Sequence, residues 1–267
     1  MRGLLVSRRL TLLALAVAIP ACVGTTGDQV VDFEVAASGP ADAIAGEPLV
    51  FEGSRDWHVT LTTARLHIGA LYLAEAMPVS GAQATSCILP GSYVAQVVEG
   101  REIDLLSSEP QPFPTLGRGT TLEARAGQVW LTSSDVDLAG VPTPPTVVLR
   151  LSGSAARNGE LREFEAKLTI AANRVDASGN LAGGSPICKE RIVSPIPTSV
   201  RVQSGGALWL RVDPRLLFTN VDFGALQQEG DLFVFRDDSS DQPSANLYNN
   251  LKQAGPLYEF SWVDQWR

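Results

Sequence analysis

Apolar and polar residues alternate one to one along much of this chain, the period of a half-buried β-strand. The clearest case runs over residues 57–73. Trp57, Val59 and Leu61 alternate with His58, Thr60 and Thr62; Ala64, Leu66, Ile68, Ala70 and Tyr72 then alternate with Arg65, His67 and Gly69. The apolar phase slips by one at Thr62-Thr63, and a period of two absorbs that only with an extra residue. A β-bulge there turns Trp57, Val59, Leu61, Leu66, Ile68 and Tyr72 all inward. No Gly, Asn, Asp or Pro stands at the slip to make a turn instead.

The same reading predicts strands over 30–37, 49–52, 200–212 and 232–235, and a last one through Tyr258, Phe260 and Trp262. Residues 92–106 read as a strand pair around Glu99-Gly100, and 120–138 as one or two strands. Residues 146–156 and 160–171 flank Asn158-Gly159, whose tolerance of positive φ suits a tight hairpin. Asp213-Pro214 and Asp222 look like caps of short helical turns. Only 244–254 carries a longer helical stripe, Leu247, Tyr248, Leu251 and Ala254, with Asp241 or Ser244 to cap it and Gly255 to end it. The pattern predicts an all-β fold, an antiparallel β-sandwich with a short C-terminal α-helix, as one domain over residues 30–267.

The N-terminus follows another rule. Arg2, Arg8 and Arg9 precede an uncharged apolar run, Leu10 to Ala18, and then Ile19-Pro20-Ala21-Cys22. A basic start, a short apolar stretch and small residues make a secretory signal peptide over 1–21. The last four residues resemble the lipobox of bacterial lipoproteins, although Ile19 and Pro20 replace the usual Leu and small residue. The resemblance implies cleavage before Cys22, acylation of its sulfur and amine, and a tether over 22–29. Val23 in place of Asp implies the outer membrane rather than the inner one. Ser7-Arg8-Arg9 also has something of a twin-arginine start, with Thr11 where that pattern wants a large apolar residue.

Composition narrows the partners. The net charge is −8 and the leader removes three arginines, so the mature chain is more acidic still. Such a surface repels phosphate backbones, and nucleic acid is not an expected partner. Hydrophobic content of 45% supports a packed core, while Gly 24 and Pro 17 against three lysines favour strands joined by loops. With Cys22 acylated, Cys87 and Cys188 remain in an oxidising compartment, and a disulfide between them is expected. Lys189 and Arg191 beside Cys188 leave a reactive thiol as the alternative.

Candidate chemistry is sparse. The chain has no Gly-x-Ser-x-Gly, Walker, His-Glu-x-x-His or Cys-x-x-Cys motif, and no cofactor is expected. His58 and His67 share a metal only if a hairpin forms at Thr62-Thr63; on one strand they are about 30 Å apart. Asp56 precedes His58, but a triad also needs a serine that sequence does not select. Asp237-Asp238-Ser239-Ser240-Asp241 is the densest carboxylate run, without the glycine or distal glutamate of an EF-hand loop; its charge suits the helix start that follows. Among Trp57, Trp130, Trp209, Trp262 and Trp266, the first four lie in strand patterns and are expected in the core, which leaves Trp266 exposed. The expected function is a lipid-anchored, non-catalytic envelope module that binds a protein or glycan. The alternatives are a hydrolase with a carboxylate or serine site, and a periplasmic metal-handling protein using His58 or His67.

Overall fold

The computed structural model describes residues 29–76, 92–133, 147–170 and 191–264. Cys22, Cys87, Cys188, Lys189, Trp266, the leader and most of the tether lie outside them. The described residues form a β-sandwich. One sheet has nine strands: β12 (Ile192–Arg201), β9 (Glu123–Trp130), β4 (Ala70–Ala74), β5 (Tyr93–Val97), β8 (Gly117–Thr120), β1 (Val30–Ser38), β13 (Ala207–Val212) and β16 (Tyr258–Val263) in that order, with β7 (Gln111–Pro112) on β1. The other has seven: β14 (Gln227–Glu229), β15 (Leu232–Phe235), β11 (Glu160–Leu168), β10 (Leu149–Arg157), β3 (His58–Ile68) and β2 (Leu49–Glu52), with β6 (Arg101–Asp104) on β3. Most pairings are antiparallel; β1–β13 and β11–β15 are parallel. The nine-stranded sheet curls until β12 and β16 run side by side with Cα atoms within 8 Å, but no ladder joins them.

The phase slip is a bulge. Thr63 pairs with Ser152 and Leu61 with Gly153, so Thr62 is the extra residue. Val59, Leu61, Ala64, Leu66 and Ile68 are consequently all buried on one face of one unbroken strand. Tyr72 is a correction. At Gly69 the chain leaves the seven-stranded sheet for the nine-stranded one, and Tyr72 packs with Ala70, Trp130 and Ile192 in a separate small cluster. A Cβ at Gly69 would lie 2.2 Å from Thr132 Oγ1, so only glycine fits this crossing.

Residues 92–106 are a second correction: β5 and β6 belong to different sheets and do not pair. Their link crosses beside Gly69, and a Cβ at Gly100 would lie 3.0 Å from Gly69 Cα. A uniform apolar pattern conceals such a crossing, because both sheets bury the same core. The Asn158-Gly159 turn is as predicted, with φ of 51° and 84° joining β10 to β11.

Between the sheets sits an aromatic group: Phe164, Phe218, Phe223 and Phe235, with Trp57 against Phe223 at 5.7 Å. Edge and tilted ring pairs like these contribute about 0.5–1.5 kcal/mol each beyond area burial. Asp213 and Asp222 cap 3₁₀ turns at Pro214–Phe218 and Phe223–Ala225. Helix α1 (Gln242–Lys252) starts two residues earlier than the stripe suggested, because Asp241 is the cap and Pro243 sits in the first turn. Ser244 is buried instead, and its hydroxyl accepts from Arg236 N at 2.8 Å.

Candidate functional site

The outward face of the seven-stranded sheet is set by register. Thr60, Ser154 and Glu163 stand opposite one another across β3, β10 and β11; beside them Ser152 stands opposite Glu165, with bulged Thr62 against it. Two-residue periodicity places all six on one face, with the two glutamates about 7 Å apart along β11. Thr62 Oγ1 donates to Ser152 O at 3.2 Å and lies 3.3 Å from Ser152 Oγ. Glu163 is exposed and has no ion-pair partner among the described residues, while Glu165 accepts from Lys167 Nζ at 2.9 Å.

Two open grooves have Glu165 in common in their linings. One, of about 310 Å³, lies over Thr62, Ser152, Ser154, Glu163 and Leu232. The other, of about 370 Å³, lies over Lys167, Glu229, Arg236, Asp237 and Asp238. Phe164 and Phe235 also border them, but both are buried in the core and offer no ring for stacking. The carboxylates of the lining only accept hydrogen bonds while its hydroxyls both accept and donate, an excess of acceptors that favours a ligand that donates.

The carboxylate run borders the second groove, but its members are divided. Arg236 bonds Asp238, which with help from Ser240 holds that carboxyl down at about 2. Asp237 accepts from Thr169 N at 2.8 Å and from its hydroxyl. Asp241 caps the helix through Ser244 N at 2.8 Å. The run thus ties β11, β15 and α1 together, and no three of its members converge on one point. Among the described residues no group of three or more His, Cys, Asp or Glu could hold a metal ion.

The histidines are kept apart. Both lie on unbroken β3, about 30 Å from end to end. His58 Nδ1 is 2.7 Å from Glu52 Oε1 at the surface, and His67 Nε2 is 3.2 Å from Ser133 O. The bulge that Thr62 supplies is what prevents the hairpin a shared metal needs. Asp56 is exposed at a φ of 60°. Arg191 is buried.

The tryptophans have separate roles. Trp57 is fully buried, donates to Asp222 Oδ1 at 3.2 Å and carries the Arg157 guanidinium 4.2 Å above its ring. Burial alone would raise the Asp222 carboxyl; the Trp57 indole, the Gly224 amide, Arg55 and Arg157 together hold it below its usual range. Trp130 lies outside the main core, 4.3 Å from Tyr72, with its indole on Gln128 Oε1 at 3.2 Å. Tyr93 reaches the same Gln128 oxygen, and burial pushes its phenol up. Trp209 donates to Ser38 Oγ at 3.0 Å, and Trp262 meets Phe33 edge-on at 5.7 Å.

Sequence reasoning saw Glu163, Glu165 and Lys167 as the wet side of a hairpin but missed the face they build. The signal lay in the serines and threonines of the two neighbouring strands at the same parity, which only strand order brings together.

No family model matches this chain, and no curated protein matches it. Among solved structures, MbnP from Methylosinus trichosporium is similar with a TM-score of 0.40 and 13% sequence identity, over 88% of this chain and 98% of that one. A likeness at that level carries neither a site nor a ligand across.

Proposed function

We propose that this chain is a lipid-anchored envelope module that uses the outer face of its seven-stranded sheet to bind a basic segment of another envelope protein, without chemistry of its own. The observation that carries the reading is the pair of grooves that share Glu165, in whose linings Glu163, Glu165, Glu229, Asp237 and Asp238 outnumber Lys167 and Arg236. Opposite charge steers encounter and fixes register more than it supplies raw affinity. A serine nucleophile needs a base in hydrogen-bond reach; although Glu165 and Glu163 stand opposite Ser152 and Ser154, neither carboxylate bonds a serine, and the Ser152 hydroxyl lies against Thr62.

Two experiments test the two halves. Envelope proteins captured by the wild-type domain should be lost, together with salt-sensitive binding, in the Glu163→Gln/Glu165→Gln double variant; undiminished capture by that variant refutes the face. Cys22→Ala should leave an uncleaved precursor or release the protein from membranes. Unchanged detergent partitioning and mobility of that variant refute the anchor.

A further inference from the structure

We infer that the segment docking on the outer face of the seven-stranded sheet carries an acidic residue four positions from the base that meets Glu163, and that Arg150 takes this acid. The inference rests on the reading of that face as the site of a basic segment, and it names the charge pattern the segment needs.

Register puts three cations in one row across β3, β10 and β11. Arg150 stands opposite Arg65 on one side and opposite Lys167 on the other. Like charges directly opposite each other destabilise an antiparallel pair. Two of the three are neutralised locally: Arg65 Nη1 lies 3.2 Å from Glu102 Oε1, and Lys167 Nζ lies 2.9 Å from Glu165 Oε2. Arg150, between them, is exposed and has no ion-pair partner among the described residues.

Glu163 is its counterpart. Of the arginine, lysine and glutamate side chains on this face of the three strands, Glu163 and Arg150 alone lack an ion-pair partner among the described residues. They do not satisfy each other. Lys167, opposite Arg150, is four residues beyond Glu163, so the two backbones are about 13 Å apart along the strands and one strand apart across them. Glu165, diagonal to Arg150, is held by Lys167.

An extended segment returns to the same face every second residue, about 6.6 Å further on. A base over Glu163 and an acid four positions away therefore meet both unpaired charges at once, whereas an odd spacing turns one of them away. Such complementarity fixes register and direction more than affinity.

Fluorescent threonine-rich peptides containing Lys-Thr-Lys-Thr-Glu, or the reverse order, test this by anisotropy at low salt, with Gln in place of Glu as the control. The wild-type protein should bind one order of the Glu peptide about two- to fivefold more tightly than its control. Arg150→Gln should abolish that preference without lowering Tm, because it removes a like-charge neighbour. One further threonine before the Glu should abolish it too. Equal binding of Glu and Gln peptides by the wild type, or a preference that survives Arg150→Gln, overturns the inference and leaves the face standing. No binding of any peptide, or binding undiminished in the Glu163→Gln/Glu165→Gln variant, overturns the face and the inference with it.

Discussion

Gly127, in the middle of β9, gives the sharpest test of the packing. A Cβ added there would lie 2.2 Å from Phe260 Cε2 and 2.5 Å from Cδ2. Carbon atoms pack at about 3.5–4.0 Å, so the Phe260 ring has to retreat by roughly 1 Å or more. That ring is 7% exposed, and Gly127 pairs with Leu73 on one side and Ile196 on the other. Overpacking of this kind costs about 1–3 kcal/mol. Its φ is not in the left-handed region, so Gly127→Ala also gains about 0.5–1 kcal/mol from a stiffer unfolded chain. The net expectation for Gly127→Ala is a loss of about 1–2 kcal/mol. Phe260→Leu alone should also destabilise, by leaving a cavity. In the double variant the new methyl fills that cavity, so the two losses should fall short of additivity by at least ~1 kcal/mol. Urea denaturation of the mature chain and its three variants measures the cycle. A Gly127→Ala protein as stable as the wild type, or strictly additive losses, would refute the seating of the Phe260 ring on Gly127.

Asp222→Ala removes a cap and strands the buried Trp57 indole N–H, and should cost about 2–3 kcal/mol by chemical denaturation. Its carboxyl is lowered in the fold, so its contribution is present above the ordinary value of 3.8 and is lost as pH falls through the lower folded value; Asp222→Asn should flatten that part of the acid-unfolding curve, and an unchanged curve refutes the assignment. Gly159→Ala places a side chain at φ 84° and should cost about 1–2 kcal/mol in thermal melts, whereas no change would deny the tight turn. If the proposed export and Cys22 acylation hold, Cys87 and Cys188 are the two thiols left in an oxidising compartment, and non-reduced peptide mapping should recover them joined; two alkylatable thiols in freshly isolated protein would defeat that expectation.

The elements are legible because each rests on local physics. The Asn158-Gly159 turn, the Asp213 and Asp222 caps and the bulge at Thr62 each follow from a few adjacent residues. Leu61 and Leu66 share a face because parity demands an extra residue between them, and parity is visible in any sequence. Strand order is not local. Nothing near Gly69 distinguishes a glycine that crosses between sheets from one that weakens a strand, so the alternation alone puts Tyr72 on the wrong side. The likeness of Glu99-Gly100 to a hairpin tip has the same origin. The proposed binding face is hidden for this reason too: Thr62, Ser152 and Glu165 are far apart in sequence and meet only through the order β3–β10–β11.

Strand β1 enters directly from residue 29; β8 and then β7 ladder it on one edge, and β13 joins on the other edge from Glu34 to Ser38. A pull on the N-terminal side therefore runs along the strand axis. It loads the ladder to β8 first, and from Glu34 on the ladders of both edges, in shear, instead of peeling bonds singly from a free edge. Because β13 runs parallel to β1, its ladder opposes that pull over five successive residue pairs, from Glu34–Ala207 to Ser38–Arg211. Tension applied at the N-terminal side of β1 thus loads its ladders in shear, whereas β12 and β14, whose outer edges carry no ladder among the described residues, can peel from an edge.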